Sequence, residues 1–226
     1  MPVILCIETA TRLCSVAVGR DGALLAQREL ESDKHIHAEK VNVFVQEALV
    51  EAGLAPCDLA AVAVGIGPGS YTGLRIGLSA AKGLCFALRI PLIGIGTLDT
   101  LVSAAGESPQ ERWPMIDARR MEVFARRFDA NGEAVGEEHP LMLDDAWAEG
   151  AGACTVFGDG ADKAVELWAK HPRITHRAGI RPCARAMLPL AEARLREGRT
   201  DDLAYLVPRY GKEANVTQPG KKGTAA

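Results

Sequence analysis

Three apolar runs open the chain and predict an antiparallel sheet. Residues 3–7, 14–18 and 23–29 are rich in hydrophobic side chains, and Asp21-Gly22 separates the last two runs. Asp-Gly between two apolar runs of strand length is typical of a tight β-hairpin. This part of the chain therefore predicts a three-stranded meander.

Helices and strands alternate after the meander. Residues 34–52 carry apolar side chains at helical spacing and are followed by Gly53, which predicts an amphipathic helix with a glycine stop. Residues 59–65 form an apolar run of strand length, residues 74–88 predict a second helix, and residues 91–95 predict one more buried strand.

The second half of the chain repeats the opening pattern. Residues 113–117 and 123–128 are apolar runs, and Asn131-Gly132 supplies another hairpin turn. The first strand of each meander ends in an acid, Glu8 in the first half and Asp117 in the second. The duplication predicts an α/β protein with two similar lobes that face one another.

The lobes are expected to follow one another along the sequence. We place the first lobe at residues 1–106 and the second at residues 107–211. Residues 212–226 end in polar and small side chains, and we expect this tail to be disordered. One strand and two helices complete the second lobe, at residues 154–157, 162–170 and 184–197.

Composition and charge exclude several classes of protein. The 226 residues are 48% hydrophobic and 24% charged, which is typical of a folded globular protein. Lys and Arg number 26 against 29 Asp and Glu, so contact with RNA would have to be local or through a partner. The six cysteines form no C-x-x-C motif, and no signal peptide or membrane span is evident. We therefore expect a cytoplasmic protein that makes no contact with a membrane.

The densest motif is a glycine-rich turn between a buried strand and a helix. Residues 65–77 have the sequence GIGPGSYTGLRIG, and such a turn can direct backbone N–H groups toward an anion. The motif lacks the Gly-Lys-Ser/Thr of a Walker A loop and the third glycine of G-x-G-x-x-G. It also fails the G-x-S-x-G pattern of a nucleophile elbow. The turn is unusual, but none of these three motifs explains it.

Small residues line one face of the helix that follows the turn. Gly73, Gly77 and either Ala80 or Ala81 share this face, although glycine inside a helix costs about 1 kcal/mol relative to alanine. Small side chains let another backbone approach closely. Two explanations remain equally open: close packing inside the lobe, and a helix contact with another molecule.

Four segments together resemble the TsaB (YeaZ) family. They are Ile7-Glu8-Thr9-Ala10-Thr11 with Cys14-Ser15-Val16-Ala17, the run from Gly67 to Gly77, Pro91-Leu92-Ile93-Gly94-Ile95 with Thr97-Leu98, and Ile116-Asp117-Ala118-Arg119. The G-P-G-S-Y-T-G-L-R-I-G run is highly specific, whereas the second half matches loosely. The resemblance implies the actin-like/sugar-kinase-like (ASKHA) fold, with two lobes that are each built on a β-meander with packed helices.

The resemblance also implies a function and partners. It implies a non-catalytic, activating subunit of the TsaD threonylcarbamoyltransferase, which forms N6-threonylcarbamoyladenosine in ANN-decoding tRNAs. The ATPase TsaE is a second implied partner, and tRNA is contacted only through the complex. A homodimer and a monomer both remain open for the chain when TsaD is absent. ATP or ADP with magnesium is implied between the lobes or at a complex interface.

The site residues follow from the same resemblance. No catalytic and no metal-binding residue is expected. The resemblance implies that the helices at 34–52 and 73–88 bind TsaD. Nucleotide contacts are implied at Glu8, Thr9, Thr11, Asp117 and Arg119. The implied TsaD interface comprises Val41, Val45, Leu49, Tyr71, Gly73, Leu74, Gly77, Leu78 and Ala81.

A second hypothesis is an enzyme of the same fold that acts alone. A small phosphotransferase or metallohydrolase could hold a metal between Glu8 and Asp117 and use Asp99 or His37 as a base. Active proteins of this fold carry glycine in the turns after these two acids, but Thr9-Ala10-Thr11 and Ala118-Arg119-Arg120 contain none. The missing glycines favour the partner subunit over the enzyme.

Overall fold

The computed structural model describes residues 2–33 and 36–211, in which the first meander is extended to a five-stranded mixed sheet. Its strands are β1 (Val3–Glu8), β2 (Leu13–Arg20), β3 (Ala23–Glu31), β4 (Leu59–Gly65) and β5 (Leu92–Ile95). Parallel pairing of β4 with β1 and of β5 with β4 adds two strands to the antiparallel meander. The sheet order is β3-β2-β1-β4-β5.

Two helices cover one face of the first sheet. Helix α1 (His37–Glu51) and helix α2 (Tyr71–Leu88) pack their apolar sides on the same core as Leu5 and Val62. The Ser70 side chain caps α2 by accepting a hydrogen bond from the Gly73 N–H at 3.2 Å. Both predicted helices are confirmed, although α2 begins three residues earlier than the apolar periodicity indicates.

The second sheet repeats the topology of the first. Its strands are β6 (Glu111–Asp117), β7 (Glu122–Phe128), β8 (Ala134–Met142), β9 (Cys154–Phe157) and β10 (Ile174–Arg177). Their order is β10-β9-β6-β7-β8, which is the first sheet's order, read from its other end, with each strand replaced by its counterpart. The predicted duplication is therefore confirmed.

Helices cover both faces of the second sheet. Three short helices bury Ala148, Ala161 and Trp168 on one face. Helix α3 (Thr97–Ala105), which precedes this sheet in the sequence, packs Leu98 and Leu101 on the other face. The short helices are α4 (Asp145–Gly150), α5 (Asp159–Asp162) and α6 (Val165–Lys170).

The last helix corrects the predicted lobe boundary. Helix α7 (Ala184–Arg196), which the sequence analysis assigns to the second lobe, packs Met187 and Leu188 on the first sheet against Ile4 and Ile93. Because α3 packs on the second sheet and α7 on the first, a single cut at residue 106 does not separate the lobes in space. The predicted disorder of residues 212–226 lies outside the described residues.

The helices of the described residues are not suited to crossing a bilayer. A transmembrane helix needs about 20 predominantly apolar residues. Within residues 2–33 and 36–211, none of the helices is both long and apolar enough.

Candidate functional site

The glycine-rich turn is filled by the protein's own backbone. The Ser70 N–H donates to the Ala10 carbonyl at 2.7 Å, and the Thr97 N–H donates to the Gly67 carbonyl at 2.8 Å. A Cβ atom at Gly69 would lie 2.4 Å from the Ala10 carbonyl oxygen. Glycine is therefore required here because neighbouring backbone packs against the turn, which leaves no room for a phosphate at this position.

The first-lobe residues of the predicted nucleotide site are buried. Glu8 and Thr9 have no exposed surface, and Thr11 is 7% exposed. The Glu8 carboxylate accepts a hydrogen bond from the Ala10 N–H at 2.8 Å, and the Thr9 hydroxyl donates to the Gly73 carbonyl at 2.8 Å. Burial raises the pKa of Glu8 to about 7. The Thr9 side chain thus holds the turn after β1 against α2, and the Glu8 carboxylate is bonded within that turn.

The second-lobe residues of that site are exposed but already paired. The Asp117 carboxylate accepts a hydrogen bond from the Arg119 N–H at 2.8 Å and forms an ion pair with Lys163. The Asp117 N–H donates to the Asp159 carboxylate at 3.0 Å. Burial raises the pKa of Asp159, and the nearby Asp117 charge acts in the same direction. Lys163 thus supplies the positive charge that Asp117 would otherwise take from a cation.

The residues present do not fit a magnesium nucleotide held between Glu8 and Asp117. Magnesium is bound in proteins through carboxylates and water, both of which must be accessible to the ion. Glu8 is inaccessible, and Asp117 is neutralised by Lys163. A Cβ atom at Gly158, in the turn after β9, would lie 2.2 Å from the Met115 carbonyl oxygen, so this glycine is also covered by backbone.

The residues proposed for a self-contained enzyme are not brought together as an active site. His37 is 6% exposed, and its Nε2 lies 2.9 Å from the Thr11 carbonyl oxygen. Burial raises the pKa of Asp99, and the charges of Arg126, Arg209 and Arg194 act in the opposite direction. Across residues 2–33 and 36–211, His, Cys, Asp and Glu side chains nowhere form a group of three or more that could hold a metal ion.

The predicted partner face of α2 lies inside the first lobe. A Cβ atom at Gly73 would lie 2.1 Å from the Thr9 carbonyl oxygen, and one at Gly77 would lie 2.3 Å from the Thr9 hydroxyl. Close packing inside the lobe is therefore confirmed as the reason for these glycines. Of the nine residues predicted to bind TsaD, eight are buried in the isolated chain: Val41, Val45, Leu49, Gly73, Leu74, Gly77, Leu78 and Ala81.

The ninth residue, Tyr71, is 49% exposed and borders a groove between α1 and α2. The groove has a volume of about 540 Å³, and the buried side chain of Val41 is part of its lining. We call this cavity the α1–α2 groove. Its lining residues are Ala38, Val41, Asn42, Tyr71, Thr72, Arg75, Ile76, Ser79 and Ala80.

The α1–α2 groove continues as an open surface along α2. Among the described residues, no atom outside the surrounding turns of α2 lies within 4 Å of a Cβ atom placed at Gly83, and Phe86 is 79% exposed. Thr72, Ser79, Gly83 and Phe86 follow one another at spacings of three, four and seven residues, so they share one side of the helix. This stripe cannot be recognised from apolar periodicity, because it consists mainly of small and polar residues.

The fold places the chain in the actin-like class of two-lobed α/β proteins. The activator of the 2-hydroxyisocaproyl-CoA dehydratase from Clostridium difficile, solved with bound ADPNP, has the same fold, with a TM-score of 0.52. The match covers 89% of this chain and 98% of the activator's chain, at 11% sequence identity. The predicted fold class is therefore confirmed.

Within that class the chain belongs to the TsaB family. It is 34% identical to the tRNA threonylcarbamoyladenosine biosynthesis protein TsaB of Escherichia coli, over 92% of this chain and 93% of that protein. The solved structure of YeaZ from Pseudomonas aeruginosa superposes with a TM-score of 0.76 at 28% sequence identity. The match covers 93% of this chain and 100% of the YeaZ chain. The family model described as TsaD, tRNA N6-adenosine threonylcarbamoyltransferase, matches residues 29–155. Membership places the chain among the proteins of threonylcarbamoyladenosine biosynthesis.

Proposed function

We propose that this chain is a partner subunit of TsaD. It binds the threonylcarbamoyltransferase through the α1–α2 groove and supports threonylcarbamoyladenosine formation in ANN-decoding tRNAs without carrying out the transfer itself. The observation that carries the proposal is an open groove on α1 and α2, in a chain whose inter-lobe acids are buried or paired.

The chemistry of the groove suits a helix of a partner protein. Ala38, Ser79 and Ala80 are small, so a partner backbone can approach closely, and Ile76 supplies an apolar contact. Among the described lining residues Arg75 carries the charge, which can fix the orientation of the partner.

Relatedness between the two subunits supports TsaD as the occupant. The TsaD family model matches residues 29–155, and this range contains both α1 and α2. A partner with a similar sequence is expected to carry a similar pair of helices. Two like pairs can pack around an approximate twofold axis, which is the commonest symmetry of protein dimers.

The remaining partners would bind either to the uncovered groove or to the assembled complex. With TsaD absent, two copies of this chain would pair through their own grooves, since the surface is then uncovered. TsaE would join the assembled pair, and tRNA would be bound by the complex, because the chain's formal net charge of −3 does not favour RNA binding by this subunit alone. ATP or ADP would then bind at an interface of the complex and not between Glu8 and Asp117.

Ala80→Glu tests the proposal. The new carboxylate remains hydrated in the open groove of the free chain, but partner binding must remove it from water. Arg75, the charged residue of the described lining, already donates to the Tyr71 hydroxyl. Burial of the carboxylate costs about 3 kcal/mol or more, so TsaD binding should weaken by about a hundredfold or more. Calorimetric titration with TsaD measures the affinity, and threonylcarbamoylation of tRNA by the complete set of proteins should fall with it.

Ala134→Glu is the matched control, because the same substitution then lies at an exposed position of the second lobe. It should bind TsaD like the unmodified chain. Circular dichroism and a melting curve verify that both variants fold. If folded Ala80→Glu binds TsaD with unchanged affinity, the groove is not the interface and the proposal is wrong.

A further inference from the structure

An irregular segment beyond α7 is attached to the outside of the first lobe. Residues 200–211, which we call the strap, contain neither a helix nor a strand longer than an isolated bridge. The Asp201 N–H donates to the Leu92 carbonyl at 2.8 Å, on the edge strand β5. The Lys82 ammonium donates to the Ala204 carbonyl at 3.2 Å, which ties the strap to α2. The strap therefore has a defined path along the first lobe.

The strap ends at the α1–α2 groove. The Arg209 N–H donates to the Ile66 carbonyl at 2.7 Å, which directs the next residue toward the start of α2. The Tyr210 ring then lies against the Tyr71 ring, with the centroids 4.5 Å apart and the planes inclined by 33°. Tyr71 borders the groove, so the strap supports one of the groove's walls.

Tyr71 is held from a second side by Arg75. The Arg75 guanidinium donates to the Tyr71 hydroxyl at 3.0 Å and lies 5.2 Å from the centre of its ring. A tyrosine that is 49% exposed would otherwise exchange among rotamers. The contacts with Tyr210 and Arg75 together fix the aromatic and the cationic groups of the groove in one arrangement.

We propose that Tyr210 is a positioning residue of the α1–α2 groove: by stacking on Tyr71 it holds Tyr71 and Arg75 in the arrangement that the partner helix meets. The inference rests on the proposed function and adds to it a contribution from the strap, a segment far from α1 and α2 in sequence. Ordering an exposed aromatic side chain in advance reduces the entropy lost on binding.

The strap also contacts the second lobe. The Arg209 guanidinium pairs with Glu138 of β8 at 3.7 Å, and a Cβ atom at Gly211 would lie 2.5 Å from the Phe124 ring of β7. These contacts keep the end of the strap between the lobes, where Tyr210 can reach Tyr71. The wall of the groove is thus supported by both lobes.

Tyr210→Ala in the full chain tests the role of the ring. Aromatic pairs contribute enough for the loss of one to weaken TsaD binding roughly two- to tenfold, while Tyr210→Phe should bind normally. Tyr205→Ala is the matched control, because Tyr205 belongs to the same strap and is 83% exposed. It should leave the affinity unchanged. Tyr210→Leu, which keeps an apolar side chain, replaces Tyr210→Ala if the latter melts early.

A double-mutant cycle decides whether Tyr210 acts through Tyr71. If it does, Tyr210→Ala should have no further effect on TsaD affinity in a Tyr71→Ala background. Additive effects, an unchanged affinity for Tyr210→Ala, or an equal loss for Tyr205→Ala would each overturn the inference. If Ala80→Glu still blocks binding, the proposed function survives that result. Normal binding by Ala80→Glu would instead overturn the proposed function.

Discussion

Glu8 is a buried carboxyl group with one oxygen unsatisfied. Within the described residues its Oε2 has no hydrogen-bond partner, and Oε1 accepts from the Ala10 N–H at 2.8 Å. Glu8, at the end of β1, lies against Gly65. A Cβ atom added to Gly65 would lie 2.5 Å from the Glu8 carboxylate oxygens. Desolvation therefore dominates and raises the pKa of Glu8 from 4.5 to about 7.

This pKa predicts a pH dependence that Glu8→Gln should remove. The native state binds the Glu8 proton more tightly than the unfolded state does, so the stabilisation is fully present below pH 4.5 and is lost as pH rises through about 7. The loss amounts to at most about 3 kcal/mol. Urea unfolding between pH 5 and pH 8 should show a steeper fall in the free energy of unfolding for the unmodified chain than for Glu8→Gln. Equal slopes would contradict a raised pKa.

Helix α2 has an inner and an outer face, and glycine occurs on both. Gly77 faces Thr9 in the turn after β1, whereas a Cβ atom at Gly83 would point into open space among the described residues. Periodicity identified the small-residue face of the helix but not the surroundings into which it points, since the same pattern suits a packed core and an interface. The structure resolves this for Gly73 and Gly77, which pack against the turn after β1.

Substituting Gly83 and Gly77 by alanine should have opposite effects on stability. Gly83→Ala should stabilise the isolated chain by about 1 kcal/mol, because alanine favours the helix and meets no obstacle. Gly77→Ala gains the same propensity but forces a Cβ atom to 2.3 Å from the Thr9 hydroxyl, so it should destabilise by about 1–3 kcal/mol. Chemical denaturation of both variants measures the difference. Destabilisation by Gly83→Ala would show that its outer position is not free.

The lobes are joined by an arginine in the connection between β10 and α7. Arg181 donates from Nη1 to Asp162 of the second lobe at 2.6 Å and from Nε to Glu31 of the first at 3.3 Å. Burial would raise the pKa of Asp162, but hydrogen bonds from Arg181 and His176 outweigh it and hold the pKa below its usual value. The Asp162 half of this bridge is also less exposed to water, because the Asp162 side chain is 22% exposed and that of Glu31 is 52% exposed.

Glu31→Gln should loosen this connection without unfolding either lobe. Its side chain is 52% exposed, so the ion pair contributes at most about 1 kcal/mol, which corresponds to roughly fivefold. Amide hydrogen exchange across residues 178–183 should therefore accelerate by up to roughly fivefold. Glu47→Gln is the control, because it removes a pair with Arg28 inside the first lobe and should leave exchange at residues 178–183 unchanged. The same acceleration in both variants would exclude a specific role for Glu31.

The sequence by itself determined the two meanders and the family. Apolar runs separated by Asp21-Gly22 and Asn131-Gly132 determine strands and hairpins through local chemistry, so the duplication was predictable. The run from Gly67 to Gly77 was likewise recognisable, because backbone packing around the turn requires glycine at fixed positions.

Only the tertiary structure decided where these elements pack. The exchange of α3 and α7 between the sheets, the burial of Glu8, and the stacking of Tyr210 on Tyr71 all join segments far apart in the chain. Periodicity specifies which residues of a helix share a face, but the neighbour of that face depends on the path of the whole chain. The burial of eight of the nine residues predicted to bind TsaD was likewise decided only by the tertiary packing.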